Sequence, residues 1–153
     1  MNKGLIGVLL FFISGLSNAD VSVIDTHVSK EAPIFEIVIE NAGASAVAQG
    51  HIATRFITPG REVPWVDSWE QSYSVPGGIE PGETRTIQLA APPEIYEIKE
   101  YDVTAEVFFF SAFSQNRAPL NGDAEYVVQE LERHERESKA LQAELEEMMN
   151  SDL

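Results

Sequence analysis

The chain has 153 residues, 44% of them hydrophobic, with 10 lysines and arginines against 25 aspartates and glutamates and a formal net charge of −15. This composition is typical of a globular domain, and its acidity argues against nucleic acid or anionic membranes as partners, because affinity for phosphate depends on Lys and Arg. The absence of cysteine excludes disulfides, thiolate nucleophiles, Cys-ligated metals and lipoprotein acylation.

Residues 1–19 have the features of an export signal. Lys3 provides the positive start, residues 5–13 provide a short apolar stretch, and the small residues Ser17 and Ala19 precede a cleavage site. We expect cleavage after Ala19. No stable membrane insertion is expected afterwards, since the apolar stretch is shorter than the roughly 20 residues that span a bilayer. The mature protein is therefore predicted to be periplasmic or secreted.

Residues 20–121 show apolar side chains at every second position between turn residues, which indicates half-buried strands. We predict strands over residues 35–39, 46–58, 69–75, 84–90 and 102–113, a weaker strand over 20–28, and a seventh within 94–100 or 115–120. Two Pro-Gly steps between residues 75 and 83 predict sharp bends. The middle of the segment 102–113 is apolar on both sides, which favours a central strand covered on both faces.

This pattern predicts a mainly β fold, an immunoglobulin-like antiparallel β-sandwich over residues 20–121, with a small open barrel as the alternative. Tyr101 stands where a tyrosine corner begins its strand in such folds. An ordinary strand-edge aromatic is the other interpretation of Tyr101.

Two short motifs resemble those of bacterial extracytoplasmic immunoglobulin-like domains, including the FxLYD-type modules. They are Ile-Glu-Asn at 39–41 before a small-residue turn and Ile-Glu-Pro-Gly-Glu-Thr at 79–84 before a strand. The resemblance covers residues 34–89, and it implies a binding or spacer module that has no catalytic residues. The chain departs from the family at 56–58, where Phe-Ile-Thr stands in place of the aromatic-Leu-Tyr-Asp signature.

Residues 122–153 are predicted to form an acidic amphipathic helix, from about Asp123 as N-cap to Asn150. A short heptad seam, the pattern of a coiled coil, runs along it and is interrupted by His134 and Ser138. Three alternatives remain open: the helix docks on a partner or a second copy, packs on its own body, or frays as an acidic tail. The seam consists of Val127, Leu131, His134, Ser138, Leu141, Leu145 and Met148, and its candidate binding residues are Leu131, His134, Leu141 and Leu145.

Trp65, Trp69 and Tyr73 recur at even spacing, so on one strand they would share a face. Such a face would be a platform for sugar rings or an apolar patch for a protein. Pro64 favours an edge or loop at this point. The competing interpretation places Trp69 in the core and Trp65 in an exposed loop or at an edge.

No pattern of catalytic or metal-binding residues is strong. Asp25, His27 and His51 lack metal-ligand spacing, and no nucleophile, phosphate or dinucleotide motif occurs. We therefore predict an exported, non-catalytic binding or structural protein of the cell envelope, without cofactor or metal. It would contact another envelope protein, or a second copy, through the C-terminal helix or a sheet edge. The alternatives are a carbohydrate-binding module using Trp65, Trp69 and Tyr73, and a metal handler or hydrolase using His27 and His51.

Overall fold

The computed structural model describes residues 20–151, so the predicted export signal lies outside the described residues. Within this range, no helix is both long and apolar enough to cross a membrane. The described chain contains six strands and two helices: β1 (Val21–Val28), β2 (Ile34–Asn41), β3 (Val47–Ile57), β4 (Val66–Ile79), β5 (Thr84–Ala90), α1 (Pro93–Glu97), β6 (Thr104–Phe113) and α2 (Gly122–Ser151).

The strands form two three-stranded sheets, one in the order β1-β2-β5 and the other in the order β4-β3-β6. All pairings within them are antiparallel. The prediction of a mainly β chain with a C-terminal helix is therefore confirmed. Period-two alternation explains the elements well: Phe35, Ile37 and Ile39 of β2 are completely buried, whereas Glu36 and Glu40 between and beyond them are not.

One hydrophobic core contains side chains from both sheets. The rings of Phe35 in β2 and Phe56 in β3 meet edge to face, with their centroids 5.2 Å apart. Burying each such side chain contributes about 1.5–3 kcal/mol. The core also takes in Ile95 of α1, so the connection between β5 and β6 is part of the folded body.

The two motifs behind the family resemblance lie against each other. The buried side chain of Asn41 donates hydrogen bonds to the carbonyls of Ser45 (2.9 Å) and Ile79 (2.8 Å), and the amide of Gly82 donates to the Asn41 carbonyl at 2.7 Å. The amide of Glu80 and the guanidinium of Arg85 both bond to the Glu83 carboxylate, which lowers the pKa of that carboxyl. These contacts join the end of β2 to the connection between β4 and β5.

The prediction of two sharp bends between residues 75 and 83 is correct only for the second. Gly82, at a φ of 82°, belongs to the turn that joins β4 to β5. The first Pro-Gly step lies inside β4, where Gly77 and Gly78 have positive φ and the pairing with β3 shifts register. The extra residues form a bulge, so β4 extends well beyond the predicted 69–75.

The expectation that residues 102–113 form a central strand is wrong, because β6 lies at the edge of its sheet and β3 is central. Phe108 occupies a bulge between the pairs Ala53–Phe109 and Thr54–Val107. This extra residue changes the alternation, so that Ala105 and Phe110 both face the core. The expected seventh strand is absent from the described residues: 93–97 is helical, and 115–120 contributes one isolated bridge from Pro119 to Phe113.

Candidate functional site

The distal part of α2, residues 131–151, is exposed along its whole length, and we call it the arm. Its apolar side chains have no cover within the described chain: Leu131 is 64% exposed and Leu141 is 59% exposed. Leu145 and Met148 continue the same stripe, with about half of their surface in solvent. Of the three interpretations of the helix, packing on the body does not hold for this part.

His134 lies on this exposed stripe. Its Nδ1 is 3.7 Å from a carboxylate oxygen of Glu137, and the ring is exposed to solvent. The polar interruption of the seam therefore carries no burial cost in the chain alone.

Charges divide the arm into two halves. Arg133, Arg136 and Lys139 each pair with a glutamate three or four residues away on the same helix. Such exposed pairs contribute only about 0.3–0.5 kcal/mol each. Glu144, Glu146 and Glu147 form no ion pair with any described residue. The last turns are therefore acidic, at the helix end where the backbone dipole disfavours negative charge.

The first turns of α2 are fixed to the body. Asn121 is the N-cap: its side-chain oxygen accepts hydrogen bonds from the amides of Ala112 (3.1 Å) and Ala124 (3.0 Å). Asp123, which was predicted to be the N-cap, instead accepts a hydrogen bond from the amide of Phe110 at 2.9 Å. Ala124 is completely buried, so the helix base is part of the fold.

Tyr73 does not contribute to an exposed aromatic platform. It is only 5% exposed and stacks on Phe110, with the ring centroids 5.5 Å apart. Its ring and hydroxyl lie against Gly50, which has no side chain, and the hydroxyl donates to the carbonyl of Ser111 at 2.8 Å. Burial raises the pKa of this hydroxyl above its ordinary value. The core therefore removes one of the three rings from the predicted platform.

The two tryptophans are half-buried at the margin of the core. The indole of Trp69 donates to the carbonyl of Ala90 at 2.9 Å. The guanidinium of Arg61 lies 3.7 Å from the centroid of the Trp65 ring, over the face on which a sugar would stack. These contacts hold the two rings to the protein and give no support to the carbohydrate alternative.

Tyr101 forms no tyrosine corner. Its ring lies 5.2 Å from that of Trp65, it is 46% exposed, and within residues 20–151 its hydroxyl makes no hydrogen bond. Tyr101 is thus an aromatic residue just before the edge strand β6.

The histidines proposed for metal or hydrolytic chemistry lie on different sheets. His27 is in β1, paired with Glu36 across to β2, whereas His51 is in β3. The Nδ1 of His51 is 3.0 Å from the hydroxyl of Ser72. Among residues 20–151, no three His, Asp or Glu side chains are grouped so that they can hold a metal ion. The structure therefore does not bring the two proposed residues together.

Comparisons of the chain with protein-family models, with curated proteins and with solved structures found no match.

Sequence reasoning missed a second exposed apolar region, a groove between β1 and β6. Ile24 and Phe108, each just over half exposed, lie in bulges of these two strands. The run of three phenylalanines at 108–110 was the available signal. Period-two alternation places those rings on two faces that were both expected to be covered. The exposure of the Phe108 ring was therefore not predicted.

Proposed function

We propose that this protein is an exported, non-catalytic binding protein of the cell envelope, in which an immunoglobulin-like β-sandwich carries the arm and the arm binds another protein. The observation that carries the proposal is the arm itself: a helix that leaves the body with its apolar stripe uncovered. Exposed apolar patches of this kind mark interaction surfaces.

Burial of the apolar stripe by a partner is energetically favourable. In proteins, most of the stability of a helix comes from packing of its apolar face rather than from intrinsic propensity. Covering Leu131, Leu141, Leu145 and Met148 contributes about 1.5–3 kcal/mol for each fully buried side chain. His134 lies among them, and such polar positions commonly specify register and partner.

The charges define the partner's chemistry. Since the basic residues of the arm are already paired within the helix and Glu144, Glu146 and Glu147 are not, the complementary surface carries Lys or Arg near the end of the arm. A helix of another envelope protein with a basic flank fits this description. A second copy in parallel would bring acidic ends together, whereas an antiparallel second copy would separate them.

The contact between Phe35 and Phe56, from different sheets, supports the sandwich part of the proposal. The hydrogen bonds between Asn41 and the 79–84 connection support the immunoglobulin-like resemblance, because they unite its two motifs. The expected export signal supports a periplasmic or secreted location. Neither this location nor binding through the arm requires a catalytic site.

The test replaces two residues of the stripe, Leu141→Gln with Leu145→Gln. The matched control, Ala140→Gln with Ala143→Gln, adds the same side chains on the other faces of the helix. Affinity capture from the protein's own cell envelope and sedimentation of the pure protein are the measurements. We expect the partner, or the dimer mass, to be kept by wild type and control and lost by the stripe variant. Equal behaviour of the two variants would refute binding through the arm.

A further inference from the structure

We propose that the free edge of β6 binds an extended, basic segment of a partner protein, which adds a strand in the groove between β6 and β1. This site is separate from the arm, and the inference does not rest on the function proposed for the arm. Strand addition of this kind gains affinity from backbone hydrogen bonds and selectivity from alternate side chains.

The edge of β6 is open because the chain turns away from it. Beyond β6 the chain pairs back only briefly, through the bridge between Phe113 and Pro119 and the hydrogen bond from the Leu120 amide to the Ala112 carbonyl at 2.9 Å. Asn121 then caps α2 and directs the chain into the helix. On this side of β6, the described chain supplies no further strand.

Side chains cover the two ends of the remaining edge. The carbonyl of Phe110 accepts a hydrogen bond from the Asn121 side chain at 2.7 Å, and its amide donates to Asp123 at 2.9 Å. At the other end, the hydroxyl of Thr26 donates to the Ala105 carbonyl at 2.8 Å. The stretch between Ala105 and Phe110 lies between these covered points and is the place where a further strand pairs.

A groove of about 740 Å³ lies alongside this stretch, between residues 21–26 of β1 and 107–110 of β6. The bulged residues Ile24 and Phe108 line it and are 53% and 54% exposed. Side-chain hydrogen bonds join the two sheets on both sides of the body: Thr26 donates to the Ala105 carbonyl on this side, and Trp69 and Gln71 donate to the Ala90 carbonyl on the opposite side. Natural proteins usually protect an apolar sheet edge, and here the exposed side chains of Ile24 and Phe108 leave part of the β1–β6 side apolar.

Charge identifies the occupant. The charged residues that line the groove are Asp25 and Asp123, and no Lys or Arg lines it. Arg55 lies 5.8 Å from the Phe108 ring on the sheet surface, but Asp67 already pairs with it at 3.1 Å. The chain as a whole carries −15, which disfavours a second copy. A segment with alternating apolar residues and Lys or Arg between them therefore fits.

The test uses the processed chain and a fluorescein-labelled peptide, KVKVTVKVK, with binding followed by fluorescence anisotropy. KVKVPVKVK keeps the charge but cannot pair as a regular strand, and EVEVTVEVE keeps the strand pattern but reverses the charge. We expect saturable binding of the first peptide, at least tenfold weaker binding of the other two, and slower amide exchange at Val107 when the first peptide is bound.

Two protein variants locate the site. Ile24→Lys with Phe108→Lys places charge in the groove, and Val63→Lys with Tyr101→Lys makes the same change at two exposed apolar residues outside both the groove and the arm. Circular dichroism verifies that both fold. We expect the groove variant to bind the peptide at least tenfold more weakly and the control to bind it like wild type. The proposal would be overturned if the groove variant bound the first peptide as tightly as wild type does. It would also be overturned if wild type bound the proline peptide as tightly as the first peptide.

The stripe variant Leu141→Gln with Leu145→Gln separates this inference from the function proposed for the arm. Peptide binding that is unchanged in the stripe variant supports the groove site, whether or not the arm binds a partner. Loss of peptide binding in that variant would place the peptide on the arm and refute the groove site. A dimer of wild type that the groove variant abolishes would make a second copy the occupant, and would also overturn the proposal.

Discussion

Apolar side chains are buried in the body but exposed in the arm. In the body, Phe35 and Phe56 are completely buried and meet across the two sheets. In the arm, Leu131 and Leu141 lie mostly in solvent although they repeat with helical spacing. A regular apolar pattern therefore stabilises this chain only where a second surface of the same chain covers it.

The same contrast appears on a smaller scale within the body. Hydrogen bonds from Trp69 and Gln71 join the sheets on the β4–β5 side, and one from Thr26 joins them on the β1–β6 side. On the β1–β6 side, however, Ile24 and Phe108 are exposed. Both uncovered regions involve α2, because the arm is its distal part and its first turn lines the groove, and both carry acidic residues. The two proposed binding surfaces therefore both involve the helix that leaves the fold.

The largest effect is expected inside the body, at Gly50. A Cβ atom added there would lie 1.8 Å from the Ser111 carbonyl oxygen and 2.6 Å from the Tyr73 hydroxyl. Gly50→Ala should therefore lower the free energy of unfolding by about 3 kcal/mol, the upper end of the usual cost of overpacking. Urea denaturation measures this change.

Gly122→Ala is the matched control, because nothing lies within 4 Å of a Cβ at that position. We expect it to change the free energy of unfolding by less than about 0.5 kcal/mol. A cost at Gly50 no larger than that at Gly122 would show that Tyr73 does not lie against Gly50 as described.

Much of the fold was predictable because burial on one face imposes period two on a strand. Residues 84–90 were predicted as a strand and form β5 over the same range. The C-terminal helix ends one residue beyond its prediction, and its N-cap lies two residues earlier than predicted. The bulge at Phe108 was not predictable, since one extra residue reverses the faces of the residues beyond it without any turn residue to signal it.

The candidate sites were less predictable for a related reason. The sequence identifies an apolar stripe on α2 but does not say whether the same chain covers it. Tyr73 had the even spacing of a surface platform, yet its ring extends over Gly50 into the core. The edge position of β6 depends on pairing order, which local pattern does not contain.

A smaller effect is expected at Tyr73, and it depends on pH. The folded state raises the pKa of its hydroxyl by burial, so the unfolded chain loses this proton at a lower pH than the folded chain does. Tyr73 therefore stabilises the fold below its ordinary pKa of about 10, and this contribution is lost as the pH rises above that value.

Tyr73→Phe removes the hydrogen bond to Ser111 and should cost about 1 kcal/mol at neutral pH. Urea denaturation between pH 8 and about pH 11 should then show a shallower decline of stability in the variant than in wild type. Parallel declines would mean that Tyr73 is not the buried titrating group.

The most direct test of the contrast between body and arm is the unfolding of a chain that ends at Glu130, compared with the full processed chain. All residues from 131 to 151 are exposed, so their removal should change the free energy of unfolding by less than about 0.5 kcal/mol while the helical circular dichroism signal falls. A loss of about 2 kcal/mol or more, the cost of removing a buried leucine, would show instead that the arm packs on the body and is not free to bind a partner.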